Sequence, residues 1–139
     1  MTKLNQIYDE IKNDKAINIY DYKMKDLDAA TIEIDKNYGI FVDYSKLTNQ
    51  HEEFMRVAHE LGHCKTGSTH FMNSPLEIIE KHEYKANKWI VNKLLPLEEI
   101  KKAGKKGITE ISDLAEYFDL PEEFIRLSYY IYKMSGKVS

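Results

Sequence analysis

Residues 59–63 have the residue types and the spacing of a metal-binding helix. His59 and His63 are four residues apart, so on a helix their imidazoles lie on one face and can bind one metal ion together. Glu60 follows the first histidine directly, where its carboxylate can reach a water at that metal and act as general base. The pattern His-Glu-x-x-His therefore predicts the hydrolytic chemistry of zinc peptidases, with Zn²⁺ as the cofactor.

A catalytic zinc usually has three protein ligands, so a third side chain is expected on a neighbouring element. Glu83 interrupts the apolar stripe of a later helix, where an unpaired carboxylate is costly, and it is the predicted third ligand. Glu80 is the competing candidate, and a salt bridge to a lysine is the alternative role of Glu83. Asn87 shares the face of Glu83 and is predicted to accept a hydrogen bond from a ligating histidine. Two histidines and a carboxylate suit zinc best, with manganese or iron(II) as alternatives.

Other residues near the motif have weaker signals. Gly62 is predicted to leave room close to the metal for a second helix or a substrate. Cys64 points about 100° away from the ligands on the helix, so we expect a structural cysteine, the alternative being a thiolate that reaches the zinc. An oxyanion also needs a second stabiliser beside the metal. The candidates for that role are His70, His82 and Tyr84.

The composition is that of a globular protein, with 139 residues, 42% of them hydrophobic and 31% charged. We expect one zinc metallopeptidase domain over 1–139, divided into an N-terminal helix and small sheet (1–48), metal-binding helices (49–96) and a helical tail (97–139). The net charge of −3 argues against nucleic-acid binding. A single cysteine excludes an intramolecular disulfide, and we find no signal peptide and no apolar run of about 20 residues. A cytoplasmic protein with no membrane contact is predicted.

The elements that must position these side chains follow from changes in hydrophobic period. A first helix is followed by three short alternating segments, read as a sheet with a hairpin turn near Gly39. The metal-binding helix is predicted from Asn49 onward and ends near Gly67. The next helix is predicted to open with Ser74 as N-cap and Pro75 at its first position, and three more helices follow. The predicted fold is α+β, with a small antiparallel or mixed sheet and a helical C-terminal half.

Three segments together resemble the ImmA/IrrE family of metallopeptidases, which are often encoded on phages and mobile elements. They are the His-Glu-Leu-Gly-His sequence at 59–63, the Glu-x-x-Ala-Asn sequence at 83–87 and Leu-Leu-Pro at 94–96. The resemblance implies a zincin-like peptidase core, with Glu83 as a gluzincin-like third ligand. It also implies an intracellular endopeptidase whose protein substrate is a helix-turn-helix repressor or a similar regulatory protein.

Two other functions remain open at this stage. The chain is alternatively a non-proteolytic zinc-containing protein that binds and antagonises a transcriptional repressor. The presence of Glu60 favours the peptidase, because a purely structural zinc needs no general base. A small DNA-binding regulator acting through its C-terminal helices is the third reading, and the lack of a basic face argues against it. The sequence does not predict the cleavage site, the activating signal or the oligomeric state.

Overall fold

The order of elements along the chain is the one that the changes in hydrophobic period predict. The computed structural model describes residues 2–69 and 74–136. Within these ranges the sheet lies in the N-terminal part and five of the six helices follow it, which confirms the α+β prediction. The elements are α1 (Lys3–Asn13), β1 (Ile17–Asp21), β2 (Ala29–Ile34), β3 (Asn37–Val42), α2 (Gln50–Thr66), α3 (Leu76–Leu94), α4 (Leu97–Lys105), α5 (Ile111–Phe118) and α6 (Glu122–Met134).

The sheet is mixed, with the strand order β1-β3-β2. β3 is central, parallel to β1 and antiparallel to β2, so β2 is an edge strand. Ile40 and Val42 of β3 are fully buried, which identifies the face of the sheet that packs on the helices. Thr31 of β2 is paired with Ile40 and therefore lies on this inner face. Ile32, next to it on β2, is 49% exposed on the outer face.

The predicted hairpin turn near Gly39 is wrong by a few residues. The turn between β2 and β3 is made by Asp35 and Lys36, whose φ angles are 51° and 68°. Two left-handed residues give the twist that joins antiparallel strands, and here two residues other than glycine adopt it. Gly39 lies inside β3 instead. A Cβ there would be 3.0 Å from the ring of Phe41 and 3.5 Å from that of Tyr20, so glycine leaves room for this stacked aromatic pair.

The predicted start of α3 also needs correction. Pro75, not Ser74, is the N-cap, because its ψ of 144° is extended rather than helical. The Pro75 carbonyl accepts the backbone N–H of Ile78 at 3.0 Å, so α3 begins at Leu76. Leu76 is 67% exposed, and the buried stripe of the helix begins only at Ala86. The first part of α3 therefore projects from the core.

One cluster of buried side chains holds the elements together. It includes residues from all six helices and from β1 and β3. Phe54 of α2 and Phe124 of α6 meet edge to face at 5.3 Å between ring centroids, which ties α2 to the helical tail. The extent of the domain, 1–139, stays a prediction. None of the helices within 2–69 and 74–136 combines the length and the apolar composition needed to cross a bilayer.

A hydrogen-bonded group links α1 to the start of α2. The Tyr8 hydroxyl donates to Glu53 at 2.5 Å and accepts from Tyr44 at 2.8 Å. Tyr8→Phe removes both bonds and leaves the Glu53 carboxylate short of a donor, so we expect a loss of about 1–3 kcal/mol in the free energy of unfolding. Urea denaturation measures it. Tyr22→Phe is the matched control, because Tyr22 is 60% exposed, and it should change stability by less than about 0.5 kcal/mol. Equal effects of the two variants would contradict the prediction.

Candidate metal centre

Both ends of the helix α2 are capped, by Asn49 and by Gly67. The Asn49 side chain accepts the backbone N–H of Glu52 at 2.9 Å, which satisfies a free donor of the first turn. Gly67 follows the last turn in a left-handed conformation, with φ 62° and ψ 24°. The apolar stripe between these ends is buried, as predicted, and consists of Phe54, Val57, Ala58 and Leu61. This burial fixes the rotation of α2, and His59 and His63 are held on the face turned toward α3.

α2 and α3 approach each other closely at one pair of small residues. A Cβ on Gly62 would lie 2.4 Å from the backbone oxygen of Ala86, a distance that no real contact allows. The prediction that Gly62 makes room for a second helix is confirmed, and that helix is α3. His59 and His63 stand three residues before and one residue after Gly62. Residues 83 and 87 have the same relation to Ala86 on α3, so this crossing brings four polar side chains together.

Three of these side chains form a compact group of ligand atoms. The Nε2 atoms of His59 and His63 are 3.0 Å apart, and the carboxylate of Glu83 contacts both, with 3.2 Å to His63. One ligand atom from each of the three residues can be chosen so that all three atoms lie within 4.8 Å of one another. Glu83 is 40% exposed, so the group is open to solvent on the side of α3.

The other ring nitrogen of each histidine is held by an oxygen acceptor. His59 Nδ1 donates to the side-chain carbonyl of Asn87 at 2.8 Å. His63 Nδ1 donates to the backbone carbonyl of Ser68 at 2.9 Å, because the left-handed Gly67 turns the chain back onto α2. A carbonyl has no proton to give, so in each neutral ring Nδ1 carries the hydrogen and Nε2 carries a lone pair.

This arrangement fits a metal cation. Two lone pairs 3.0 Å apart, both beside a carboxylate, repel one another unless positive charge lies among them. Two imidazoles and a carboxylate are a usual ligand set of catalytic zinc, and histidine ligands commonly donate their second N–H as His59 and His63 do here. These residues therefore suit Zn²⁺.

The pKa values reflect the same electrostatics. Burial by itself lowers the pKa of His59, but the hydrogen bond and the charge of Glu83 outweigh it and raise that pKa above its ordinary value. Burial by itself raises the pKa of Glu83, yet the bonds and charges of the two histidines hold it well below its usual range. Glu83 is therefore ionised at neutral pH and can serve as an anionic ligand.

Glu60 lies beside the group and is almost fully buried, with 8% of its surface exposed. One carboxylate oxygen, Oε1, accepts the hydroxyl proton of Thr31 at 2.8 Å. Within 2–69 and 74–136 this is the one side-chain hydrogen bond seen for Glu60, so Oε2 is available for another partner. The predicted base thus has one oxygen held by the sheet.

Among the described residues, neither Glu80 nor Cys64 belongs to the group of ligand atoms. Glu80 is exposed on α3. Cys64 is buried, and burial followed by the nearby charge of Glu60 raises the pKa of its thiol to about 12. It is therefore a protonated thiol at neutral pH, as expected of a structural cysteine. Tyr84 packs against the hydrophobic core. His82 is half-buried on α3, while His70 lies outside the described residues, so the oxyanion stabiliser stays a prediction.

Two contributors to this centre are not predicted from the sequence. Ser68 contributes its backbone carbonyl, which every residue type has, so the identity of the residue does not predict this contact. The sequence pattern does not point to Thr31, because the isoleucines of β2 lie on the outer face. Ile32 is 49% exposed and Ile34 is 69% exposed. The alternation therefore indicates the wrong inner face for this strand. Thr31 points to the face opposite to these isoleucines. Only the pairing of β2 with β3 shows that this is the buried face.

A cleft of about 490 Å³ adjoins His59 and Asn87 on the side of α6. Its lining is mostly apolar, with Ile90 and Leu127 among its residues. Both arginines of the chain, Arg56 and Arg126, stand at this cleft. Arg56 is paired with Asp28 at 3.0 Å and Arg126 with Glu122 at 3.6 Å. The helical tail therefore forms a wall of the space beside the metal centre.

The fold is α+β, and two of its helices, α2 and α3, carry the three residues that could hold a metal ion. Residues 14–128 match the family described as the IrrE N-terminal-like domain, a peptidase family. The chain belongs to that family, which confirms the resemblance drawn from residues 59–63, 83–87 and 94–96. Comparison with curated proteins and with solved structures found no match.

Proposed function

We propose that this chain is a zinc-dependent endopeptidase. The observation that carries the proposal is the convergence of His59, His63 and Glu83, with Glu60 next to the first histidine on the same helix. Three ligands leave a position for water and substrate, which a closed structural zinc site does not have. Membership of a peptidase family supports the same class of reaction.

Each residue has a distinct role in the proposed reaction. Zinc, when bound, lowers the pKa of a water to about 7 and polarises the carbonyl of the scissile peptide bond. Glu60 takes a proton from that water through the carboxylate oxygen that Thr31 leaves free, and then passes the proton to the leaving amine. Asn87 and the carbonyl of Ser68 hold the two histidines in the tautomer that offers Nε2.

The substrate is proposed to bind as an extended strand along the open edge of β2. As the edge strand of the sheet β1-β3-β2, β2 offers unpaired backbone groups to an added strand. Thr31 on this strand contacts the proposed base, so a peptide on its outer edge passes near the metal centre. Substrate side chains on the other side of the centre are proposed to enter the cleft beside His59, whose apolar lining suits large apolar residues.

The proposed substrate is a helix-turn-helix transcriptional repressor, and the proposed location is the cytoplasm. Both rest on the resemblance to the ImmA/IrrE family, and the net charge of −3 is consistent with a protein rather than a nucleic acid as the partner. The test is incubation of the zinc-loaded chain with purified helix-turn-helix repressors from its own organism, followed by intact-mass analysis. Fragments that appear with zinc and disappear with a chelator support the proposal. An intact repressor bound in a stable complex favours the non-proteolytic alternative instead.

Metal content tests the ligand assignment directly. The wild-type chain is expected to hold about one zinc, and Glu83→Ala should lose most of it, because two imidazoles alone bind weakly and lack the anionic charge. Asn87→Ala should weaken zinc binding by roughly 10- to 100-fold, as expected for a partner of a ligand. Glu80→Ala is the matched control and should keep its metal. Elemental mass spectrometry and competition with a chelator measure these effects, and a Glu83→Ala variant with full zinc would rule out this carboxylate as ligand.

A further inference from the structure

Thr31 links the edge strand to the proposed general base. Its Oγ1 atom is 2.8 Å from Glu60 Oε1 and 3.4 Å from the Glu60 backbone oxygen. A hydroxyl has one proton, and the shorter distance and the negative charge of the carboxylate assign it to Oε1. The bond is therefore a charge-assisted one, made where Glu60 is 8% exposed and water competes little.

The hydroxyl is held in place by the sheet rather than by α2. Thr31 is paired with Ile40, which is fully buried, and the tight turn at Asp35 and Lys36 fixes the register of β2 against β3. A β-branched side chain in a strand also has few rotamers, so the position of Oγ1 is determined by the backbone. Glu60, in contrast, has a long side chain with three rotatable bonds and needs an external partner to hold one orientation.

We propose that Thr31 is a positioning residue for Glu60: its hydroxyl holds one carboxylate oxygen and directs the other toward the water and the metal. The inference rests on the proposed function, because it gives Thr31 a role only if Glu60 accepts a proton at that centre. A purely structural role, joining β2 to α2, is the competing explanation. The two explanations make different predictions for a protein that lacks Glu60. With a positioning role, loss of the Thr31 hydroxyl has no further effect there, whereas with a structural role it still does.

Acetohydroxamic acid is a suitable probe, since it needs no knowledge of the natural substrate. It binds a metal through two oxygens as an anion and gives up one proton, which a neighbouring base must accept. Acetate, already an anion, binds the metal without that proton. The affinity of the zinc-loaded protein for each compound is measured by isothermal titration calorimetry, with zinc content determined for every variant.

Three variants of Thr31 distinguish the hydroxyl from the shape of the side chain. Thr31→Val keeps the shape and loses the hydroxyl, and it should weaken acetohydroxamate binding about tenfold, because a carboxylate without its fixed orientation is a poorer acceptor for the proton that the probe gives up. Thr31→Ser keeps the hydroxyl and should bind within about twofold of wild type. Thr31→Ala is a second variant without the hydroxyl, for use if valine disturbs folding. Zinc content and acetate affinity should stay unchanged in all three.

A double-variant comparison shows whether the effect passes through Glu60. Glu60→Ala should itself weaken acetohydroxamate binding, and adding Thr31→Val to it should cause no further loss. A further loss of equal size in the Glu60→Ala background, or a Thr31→Val variant that binds like wild type, overturns the positioning role. Wild-type protein that takes up no zinc, or a Glu60→Ala variant with unchanged affinity, overturns the proposed function itself, and the role of Thr31 falls with it.

Discussion

Glu60→Gln is expected to lower kcat for peptide-bond cleavage about 10²- to 10⁴-fold while leaving zinc binding unchanged, the loss expected when a general base is removed. Glutamine has the shape of glutamate and can still accept the hydrogen bond from Thr31, which lies 2.8 Å from Oε1. It cannot take a proton from water at neutral pH. The substitution therefore removes one chemical step and keeps the proposed ligands His59 and His63 in place.

The measurement does not require the natural substrate. Zinc-loaded wild type and Glu60→Gln are incubated with a peptide library prepared from a whole proteome, and new peptide ends are counted by mass spectrometry. Glu80→Gln is the control, because it makes the same change at an exposed position on α3 and should cleave like wild type. If Glu60→Gln cleaves at the wild-type rate, Glu60 is not the general base. If only the chelated samples fail to cleave, the metal is needed but the base lies elsewhere.

Gly62→Ala is expected to weaken zinc binding at least tenfold and to destabilise the protein. The added Cβ would lie 2.4 Å from the carbonyl oxygen of Ala86, and that oxygen belongs to helix backbone that cannot rotate away. The two helices must separate, which moves Glu83 away from His59 and His63. Alanine gains about 1 kcal/mol in helix propensity, but overpacking of this kind costs about 1–3 kcal/mol or more, so the net effect is a loss of stability.

Gly104→Ala is the matched control for this prediction. Gly104 lies within α4, and a Cβ there meets no atom within 4 Å. The same substitution should therefore raise the free energy of unfolding by about 0.5–1 kcal/mol through helix propensity alone and leave zinc affinity unchanged. Urea denaturation of the metal-free variants and competition with a chelator measure the two quantities. A Gly62→Ala variant that binds zinc like wild type would show that the helix crossing does not set the ligand geometry.

Much of the candidate site is predictable because its signals are local. The spacing of His59 and His63 places them on one face of any helix, whatever that helix packs against. Glu83 is twenty residues further on, yet it is marked by its conflict with the apolar stripe of α3. Asn87 follows from Glu83 by the same helical spacing. The helix ends at Asn49 and Gly67 depend on capping, which is a property of a few consecutive residues.

The errors fall where the sequence offers two compatible solutions. Gly39 is a good turn residue, but the left-handed turn is made by Asp35 and Lys36, and the glycine is needed to make room for aromatic rings instead. Ser74 is a good N-cap, but the chain at Pro75 is still extended. Each local preference amounts to about 1 kcal/mol or less, which packing elsewhere readily outweighs.

Periodicity and side-chain chemistry along the chain thus indicate the helix that carries the proposed ligands and base, and the α+β class. They do so because each depends on residues a few positions apart or on a chemical type that is costly to bury without a partner. The contact of Gly62 with Ala86, the bond from Thr31 to Glu60 and the carbonyl of Ser68 behind His63 appear only in the folded chain. They join atoms of elements that are distant in the sequence. How these elements pack depends on the burial of the whole core, which no short stretch of sequence determines.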